Sequence, residues 1–155
     1  MIQKNWAKKR WKELLKVPKF RVVFDTNIFL SAILYGGTPL KLLNLWRKER
    51  AFELIISPEI LAELIAKLRI KFALPANLVQ EWQELLSRNI IRVLPEYLTQ
   101  ICRDDQDNKI IDTAISGNAH YIITGDEDLL TMKSYQKTKI IKAREFLNLL
   151  KEKEK

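Results

Sequence analysis

The chain is poor in the residues that several common kinds of site require. It has one cysteine, Cys102, and one histidine, His120, among 155 residues. A single cysteine excludes an intrachain disulfide and a thiolate metal cluster, and it favours a reducing, cytoplasmic location. Zinc sites need several histidine or cysteine ligands, so we expect His120 to be an ordinary surface or sheet-edge residue.

Glycines and long apolar runs are also scarce. The four glycines form neither a P-loop nor a dinucleotide-binding fingerprint. Apolar stretches such as LLNLW are far shorter than the roughly 20 residues that cross a bilayer. The basic amino terminus is not followed by the apolar core and cleavage site of a signal peptide. We therefore expect a cytoplasmic protein that does not enter a membrane.

Positive charge is concentrated at the amino terminus. The formal net charge is +8, and residues 1–19 hold seven lysines and arginines against one glutamate, which leaves +2 for the other 136 residues. The composition predicts one domain over residues 20–150, preceded by a basic amphipathic helix or arm at 1–19 and followed by a charged tail at 151–155.

The basic arm has two competing interpretations. Its tryptophans could stack on bases while its cations neutralise phosphates, a combination typical of non-specific nucleic-acid binding. Alternatively, a helix over residues 2–16 could pack its apolar face on the body or on a second copy, and binding to a membrane surface is a third possibility. The residues concerned are Trp6, Lys8, Lys9, Arg10 and Trp11.

Short apolar runs alternate with helical patterns along the rest of the chain. This alternation predicts the α/β class, a three-layer α/β/α sandwich around a central, mainly parallel sheet of about five strands. The predicted strands are 21–25, 52–56, 90–94, 121–124 and 138–141. Helices are predicted through Leu34, from Thr38 to Glu49, from Ser57, from Leu74, over 108–118 and over 143–151.

Four acidic residues stand where this fold would direct them to one place: Asp25, Glu63, Asp107 and Asp126. Asp25 and Asp126 close apolar strands, and the carboxyl ends of parallel strands are where open α/β sheets bind ligands. Aspartate is also favoured in turns and helix caps, so each residue taken alone has a structural explanation.

Carboxylates held together repel, by roughly 4 kcal/mol at ~4 Å and an effective dielectric of 20, so a cation or a raised pKa must offset the repulsion. An all-oxygen set suits Mg²⁺ or Mn²⁺, which can activate a water for phosphodiester hydrolysis. The chain shows no covalent nucleophile with a paired base. A metal-dependent hydrolase is therefore favoured over a covalent mechanism.

Four blocks of sequence resemble the PIN-domain family, named for the PilT N-terminus, and within it the VapC-like toxins of toxin–antitoxin systems. The blocks are VVFDTNIFLSAIL, ISPEILAEL, DDQDNKIIDTAI and AHYIITGDEDLL, in that order. The resemblance covers residues 21–147. It implies a PIN fold and Mg²⁺- or Mn²⁺-dependent endoribonuclease activity, with a small antitoxin protein and a second copy of the chain as partners.

The resemblance also implies roles for particular residues. Catalytic, metal-binding carboxylates fall at Asp25, Glu63, Asp107 and Asp126, and Asp128 could bind or orient a second ion. Asn27 and Thr124 correspond to supporting polar residues. Asp112 could equally face the cleft or solvent, whereas Asp104 and Asp105 are expected to be solvated turn residues.

Two other functions stay open from the sequence. One is a nucleic-acid-binding module without catalysis, which would use the basic arm and bind RNA in a salt-sensitive way. The other is a phospho-acceptor α/β domain that uses Asp25, although no lysine partner stands at a strand end.

Overall fold

The computed structural model describes residues 19–96 and 99–154. Most of the basic arm, including its predicted helix over 2–16 and its Trp6, Lys8, Lys9, Arg10 and Trp11, therefore lies outside the described residues.

A six-stranded sheet forms the centre of the described structure. Its strands are β1 (Arg21–Phe24), β2 (Glu53–Ile56), β3 (Ile91–Arg92), β4 (Tyr121–Ile123), β5 (Ser134–Tyr135) and β6 (Thr138–Ile141). The order across the sheet is β3-β2-β1-β4-β6-β5. Every pairing is parallel except that of β5 with β6. The predicted α/β class with a mainly parallel sheet is confirmed, with a short antiparallel β5 as an additional strand.

Seven α-helices lie within the described ranges. They are α1 (Thr26–Leu34), α2 (Gly37–Glu49), α3 (Pro58–Ala66), α4 (Ala76–Ser87), α5 (Asp105–Ser116), α6 (Glu127–Met132) and α7 (Ala143–Glu154). A π-helical turn, Lys67–Lys71, extends α3. None of these helices is by itself long and apolar enough to cross a bilayer, and only the sharply bent pair α1 and α2 passes that test together.

Helices cover both faces of the sheet. On one face, Phe24 of β1 packs against Phe29 of α1, and Phe146 of α7 packs against the nearby Phe52. Ile55 of β2 is in register with Val23, whose side chain points to the opposite face from that of Phe24. The end of α5 approaches Ile55 there. The result is the predicted three-layer sandwich.

Several predicted boundaries were wrong. Helix α5 begins at Asp105 rather than at 108, because the side chain of Asp104 accepts a hydrogen bond from the backbone N–H of Gln106 and caps it. Strand β3 has two residues instead of the five predicted at 90–94. The expected tail is helical as far as Glu154, and the Lys153 ammonium lies 4.4 Å from the centre of the Phe20 ring.

Candidate active site

The carboxyl ends of β1 and β4 lie side by side and place two of the predicted acids together. Val23 pairs with Ile122, and the backbone N–H of Asp25 donates to the carbonyl of Ile123 at 3.0 Å. Asp25 follows β1 directly, and Asp126 caps α6 just beyond β4. Parallel pairing of these strands therefore brings Asp25 and Asp126 to one edge of the sheet.

Three carboxylates form a compact acidic group: Asp107, Asp126 and Asp128. One oxygen of each lies within 4.8 Å of one oxygen of the others. Asp107 comes from the first turn of α5, while the other two come from the start of α6. The group therefore joins two helix amino termini at the carboxyl edge of the sheet, where helix dipoles favour negative charge.

Asp107 is the buried member of this group and is incompletely paired. The residue is 5% exposed, and its Oδ2 atom has no hydrogen-bond partner. Burial is the main reason that the pKa of Asp107 rises from 3.8 to about 7, and the negative charges of Asp126, Asp104, Asp25 and Asp128 raise it further. Near neutral pH this carboxyl is poised between its protonated and charged forms.

Asp25 is held by the hydroxyl of Thr124. Thr124 Oγ1 donates to Asp25 Oδ2 at 2.8 Å and accepts the backbone N–H of Asp126 at 3.0 Å. Burial raises the pKa of Asp25, and the charges of Asp126 and Glu63 add to that effect, while the Thr124 hydrogen bond opposes it. One buried hydroxyl thus links the carboxylate of Asp25 to the backbone of Asp126.

Glu63 lies near Asp25 but outside the compact acidic group. Thr26 Oγ1 donates to Glu63 Oε2 at 3.1 Å, and Lys67 Nζ lies 3.0 Å from Glu63 Oε1. The structure therefore divides the four predicted acids: Asp107 and Asp126 join Asp128, while Asp25 and Glu63 lie beside them and hold other partners.

Some of the candidate metal-binding aspartates also cap helices. Asp25, Asp104 and Asp126 all cap helices by accepting a backbone N–H two residues further on. Capping occupies a single oxygen of Asp126, and a carboxylate has acceptor capacity left for a second ligand. Capping and ligand binding are therefore compatible at this edge.

The other residues considered in the sequence analysis lie outside the compact acidic group, some exposed and one buried. Asn27 is exposed, and its contact with Asp25 is made by its backbone N–H. Asp112 is buried and accepts the backbone N–H of Thr99, so it supports a loop. Asp105 is exposed, in the first turn of α5. His120 is exposed just before β4, at the opposite edge from the acids, as expected for a sheet-edge residue.

Sequence reasoning missed three polar residues around the acidic group. Thr26 holds Glu63, Asn108 binds both backbone groups of Cys102, and Arg103 contacts Asp128. Thr26 and Asn108 sit within DTN and DDQDNK, so each was adjacent to a predicted acid. No local pattern predicted their partners, because those partners depend on the fold.

The donor set fits a hard divalent cation. All candidate ligands are carboxylate oxygens, as Mg²⁺, Mn²⁺ and Ca²⁺ prefer. The Oδ2 of Asp107 is a buried polar atom without a hydrogen-bond partner, and a bound cation would relieve the repulsion among the three clustered carboxylates. Asp107, Asp126 and Asp128 would hold such an ion, with Asp25 beside them.

This fold and this acidic edge define a known class of protein. Residues 21–128 match the family model described as PIN domain, which is more than half of the chain. The protein belongs to the PIN-domain family, whose members are generally nucleases and typically use divalent metals.

One relative resembles most of the chain. An uncharacterized protein of Methanocaldococcus jannaschii, MJ1680, is 35% identical over 131 residues, which cover 81% of this chain and 83% of the relative. The similarity therefore extends over about four-fifths of each chain.

Proposed function

We propose that the protein is a Mg²⁺- or Mn²⁺-dependent endoribonuclease whose centre is Asp107, Asp126 and Asp128. The observation that carries the proposal is the buried, unpaired Oδ2 of Asp107 beside two further carboxylates. These carboxylates would hold a divalent cation, which would supply a water of lowered pKa and neutralise charge on the phosphate.

The surrounding residues keep the carboxylates in place for this role. Thr124 orients Asp25 and fixes the backbone of Asp126 through its one hydroxyl. We assign to Asp25, which is buried near Asp126, the role of accepting a proton from the attacking water. Thr26 and Lys67 hold Glu63 at the flank of the site.

A cleavage assay tests this function. Purified protein is incubated with a panel of single-stranded and structured RNAs in Mn²⁺, in Mg²⁺ and in EDTA. We expect cleavage with either metal, none in EDTA, and a loss of at least about 100-fold in Asp126→Asn. Asp105→Asn, which removes an exposed carboxylate from the same edge, is the matched control and should remain active. Equal cleavage by Asp126→Asn and the parent would refute the proposal.

The finer biological proposal is that this nuclease is the toxin of a toxin–antitoxin pair, acts in the cytoplasm, forms a homodimer and is restrained by a small antitoxin. The order of the four sequence blocks supports it. Expression of the parent chain should arrest growth of a host cell, and Asp25→Asn should not. Equal toxicity of the two would contradict the toxin role.

A second candidate is a nucleic-acid-binding module without catalysis. The concentration of positive charge in residues 1–19, against a nearly neutral body, favours it. It predicts RNA binding that weakens steeply with salt, survives Asp25→Asn and Asp126→Asn, and is lost when residues 1–19 are deleted. If the protein without its basic arm still cleaves RNA in a metal-dependent way, RNA binding without catalysis cannot be its whole function.

A further inference from the structure

We propose that Arg103 is a substrate-binding residue of this centre: its guanidinium leaves Asp128 and binds a phosphate of the RNA strand when the carboxylates take up a divalent cation. This inference rests on the proposed function and deepens it, because it assigns a residue that supplies affinity for the nucleic acid at the same site.

The contact between Arg103 and Asp128 uses a small part of the guanidinium. One nitrogen, Nη2, lies 3.1 Å from Oδ1 and 3.3 Å from Oδ2 of Asp128. Within residues 19–96 and 99–154, Nη1 and Nε of Arg103 donate to no other group. The side chain therefore keeps most of its donors available while it neutralises a member of the acidic group.

This ion pair is exposed and easily exchanged. The side chain of Arg103 is 88% exposed and that of Asp128 is 57% exposed. Surface pairs of this kind contribute little to stability, so their separation costs little free energy. Asp128 also belongs to the group that would bind a cation. A divalent ion and Arg103 therefore compete for the same carboxylate.

The backbone beside Arg103 is fixed even though its side chain is exposed. The buried amide of Asn108 accepts the N–H of Cys102 at 2.9 Å and donates to the Cys102 carbonyl at 3.3 Å. The Cys102 sulfur lies 4.0 Å from the sulfur of Met132 at the end of α6. Contacts with α5 and α6 thus hold residue 102, and Arg103 next to it stays over the acidic group.

Arg103 contacts a member of the acidic group directly and has the chemistry and exposure to meet a phosphate. A guanidinium presents a planar set of donors that matches phosphate oxygens. Lys67 and Lys109 pair with Glu63 and Glu59 on α3, and both side chains are largely covered. A phosphate that approaches the acidic group from solvent can therefore reach the guanidinium of Arg103.

If Arg103 exchanges Asp128 for a phosphate, its loss should change the affinities for metal and for RNA in a way that the loss of a purely structural arginine would not. Loss of Arg103 should strengthen binding of the metal, since a competing positive charge is removed, and weaken binding of RNA in the presence of the metal. Without the metal, the negative charge of Asp128 offsets that of Arg103, so the loss of Arg103 should weaken RNA binding less in EDTA than in the presence of the metal. This is a linkage between two ligands at neighbouring positions.

The test compares Arg103→Ala with Arg88→Ala, which also removes one exposed positive charge but lies just before β3, at the edge of the sheet opposite the acids. Calorimetry measures the affinity for Mn²⁺ alone. Stopped-flow anisotropy with a short labelled single-stranded RNA measures binding in Mn²⁺ and in EDTA, before cleavage proceeds.

We expect Arg103→Ala to bind Mn²⁺ about two- to fivefold more tightly than Arg88→Ala, because one nearby charge is lost. Its RNA affinity in Mn²⁺ should fall about tenfold, the size of a charge-assisted hydrogen bond, with KM rising and kcat nearly unchanged. Arg103→Lys should be intermediate. In EDTA, the difference in RNA affinity between Arg103→Ala and Arg88→Ala should be smaller than in Mn²⁺.

Two results would overturn the role of Arg103. One is equal RNA affinity of Arg103→Ala and Arg88→Ala in Mn²⁺, and the other is an equal loss of RNA affinity in Mn²⁺ and in EDTA. If the parent binds RNA but cleaves none, the nuclease function fails, and the binding comparison still decides whether Arg103 contacts RNA.

Discussion

A single buried carboxyl, Asp107, connects the stability of the protein with its chemistry. Its pKa is raised from 3.8 to about 7, chiefly by burial. The folded state therefore holds this proton more tightly than the unfolded state. Protonation of Asp107 therefore adds to the free energy of unfolding. This contribution is fully present below about pH 4, falls as the pH rises, and is lost above about pH 7.

Asp107→Asn should for this reason stabilise the metal-free protein at high pH. We expect the variant to exceed the parent in free energy of unfolding by about 1–3 kcal/mol at pH 8, with the gain shrinking toward pH 5. Urea unfolding in EDTA across this pH range measures the difference. Asp105→Asn, an exposed neighbour in the same turn, should show no such trend. A gain in the free energy of unfolding that does not depend on pH would contradict the raised pKa of Asp107.

The hydroxyl of Thr124 is a second residue on which the site depends. Thr124→Val keeps the shape but leaves Asp25 without its 2.8 Å donor and the N–H of Asp126 without its acceptor. We expect a loss of about 1–3 kcal/mol in the free energy of unfolding, because both groups lose a hydrogen bond. Thr124→Ser, which keeps the hydroxyl, should recover most of it. Chemical denaturation of the three forms at pH 7 is the measurement, and equal losses for Val and Ser would contradict the account.

Sequence reasoning worked best for residues whose position follows from strand periodicity. Asp25 and Asp126 were placed together because each ends an apolar strand of a parallel sheet. The hydrogen bond that links Asp25 to Thr124 joins residues 99 apart in the chain, and the contact of Arg103 with Asp128 joins residues 25 apart. The first contact follows from the parallel pairing of β1 with β4, whereas the second depends on how the segment before α5 lies against α6. Local patterns do not fix that placement, so Arg103 and the hydrogen bonds of Asn108 to Cys102 were missed.

At the scale of elements, α5 carries Asp107 at one end and packs closely on the sheet at the other. A Cβ atom added to Gly117, just beyond α5, would lie 2.9 Å from two side-chain atoms of Ile55 and 3.3 Å from the Thr113 carbonyl. Ile55 is fully buried in β2. The tight approach at Gly117 therefore sets how α5 lies on the sheet.

Gly117→Ala should cost about 1–3 kcal/mol of folding free energy, because a packed core must shift to accept the methyl group. Gly125→Ala is the matched control, since a Cβ atom there meets nothing within 4 Å and a surface change of this kind falls within about 0.5 kcal/mol. Thermal unfolding of both variants gives the comparison. Similar melting temperatures would show that α5 is not held by this contact.

The predicted order of elements was right where capping and periodicity agreed. Ser57 caps α3 through Ile60, with Pro58 in the first turn, as the sequence indicated. The antiparallel β5 was missed because its two residues are too few to show an alternating pattern. The start of α5 was misplaced because the acidic run was taken as a loop, whereas Asp104 caps the helix.

For the whole molecule, charge is divided between two parts with different expected roles. Residues 1–19 hold most of the excess positive charge, and the nearly neutral body carries the acidic edge. Phosphate is repelled by carboxylates, so the body requires a cation before it can hold a nucleic acid there. This dependence on a metal ion is the central claim about the molecule.

The most direct test is the rate at which the parent and Asp107→Asn cleave the same RNA in saturating Mn²⁺, with EDTA as the blank. We predict cleavage by the parent, none in EDTA, and a loss of at least about 100-fold in Asp107→Asn while that variant stays folded. Cleavage by Asp107→Asn at the parent's rate, or by the parent in EDTA, would contradict the account.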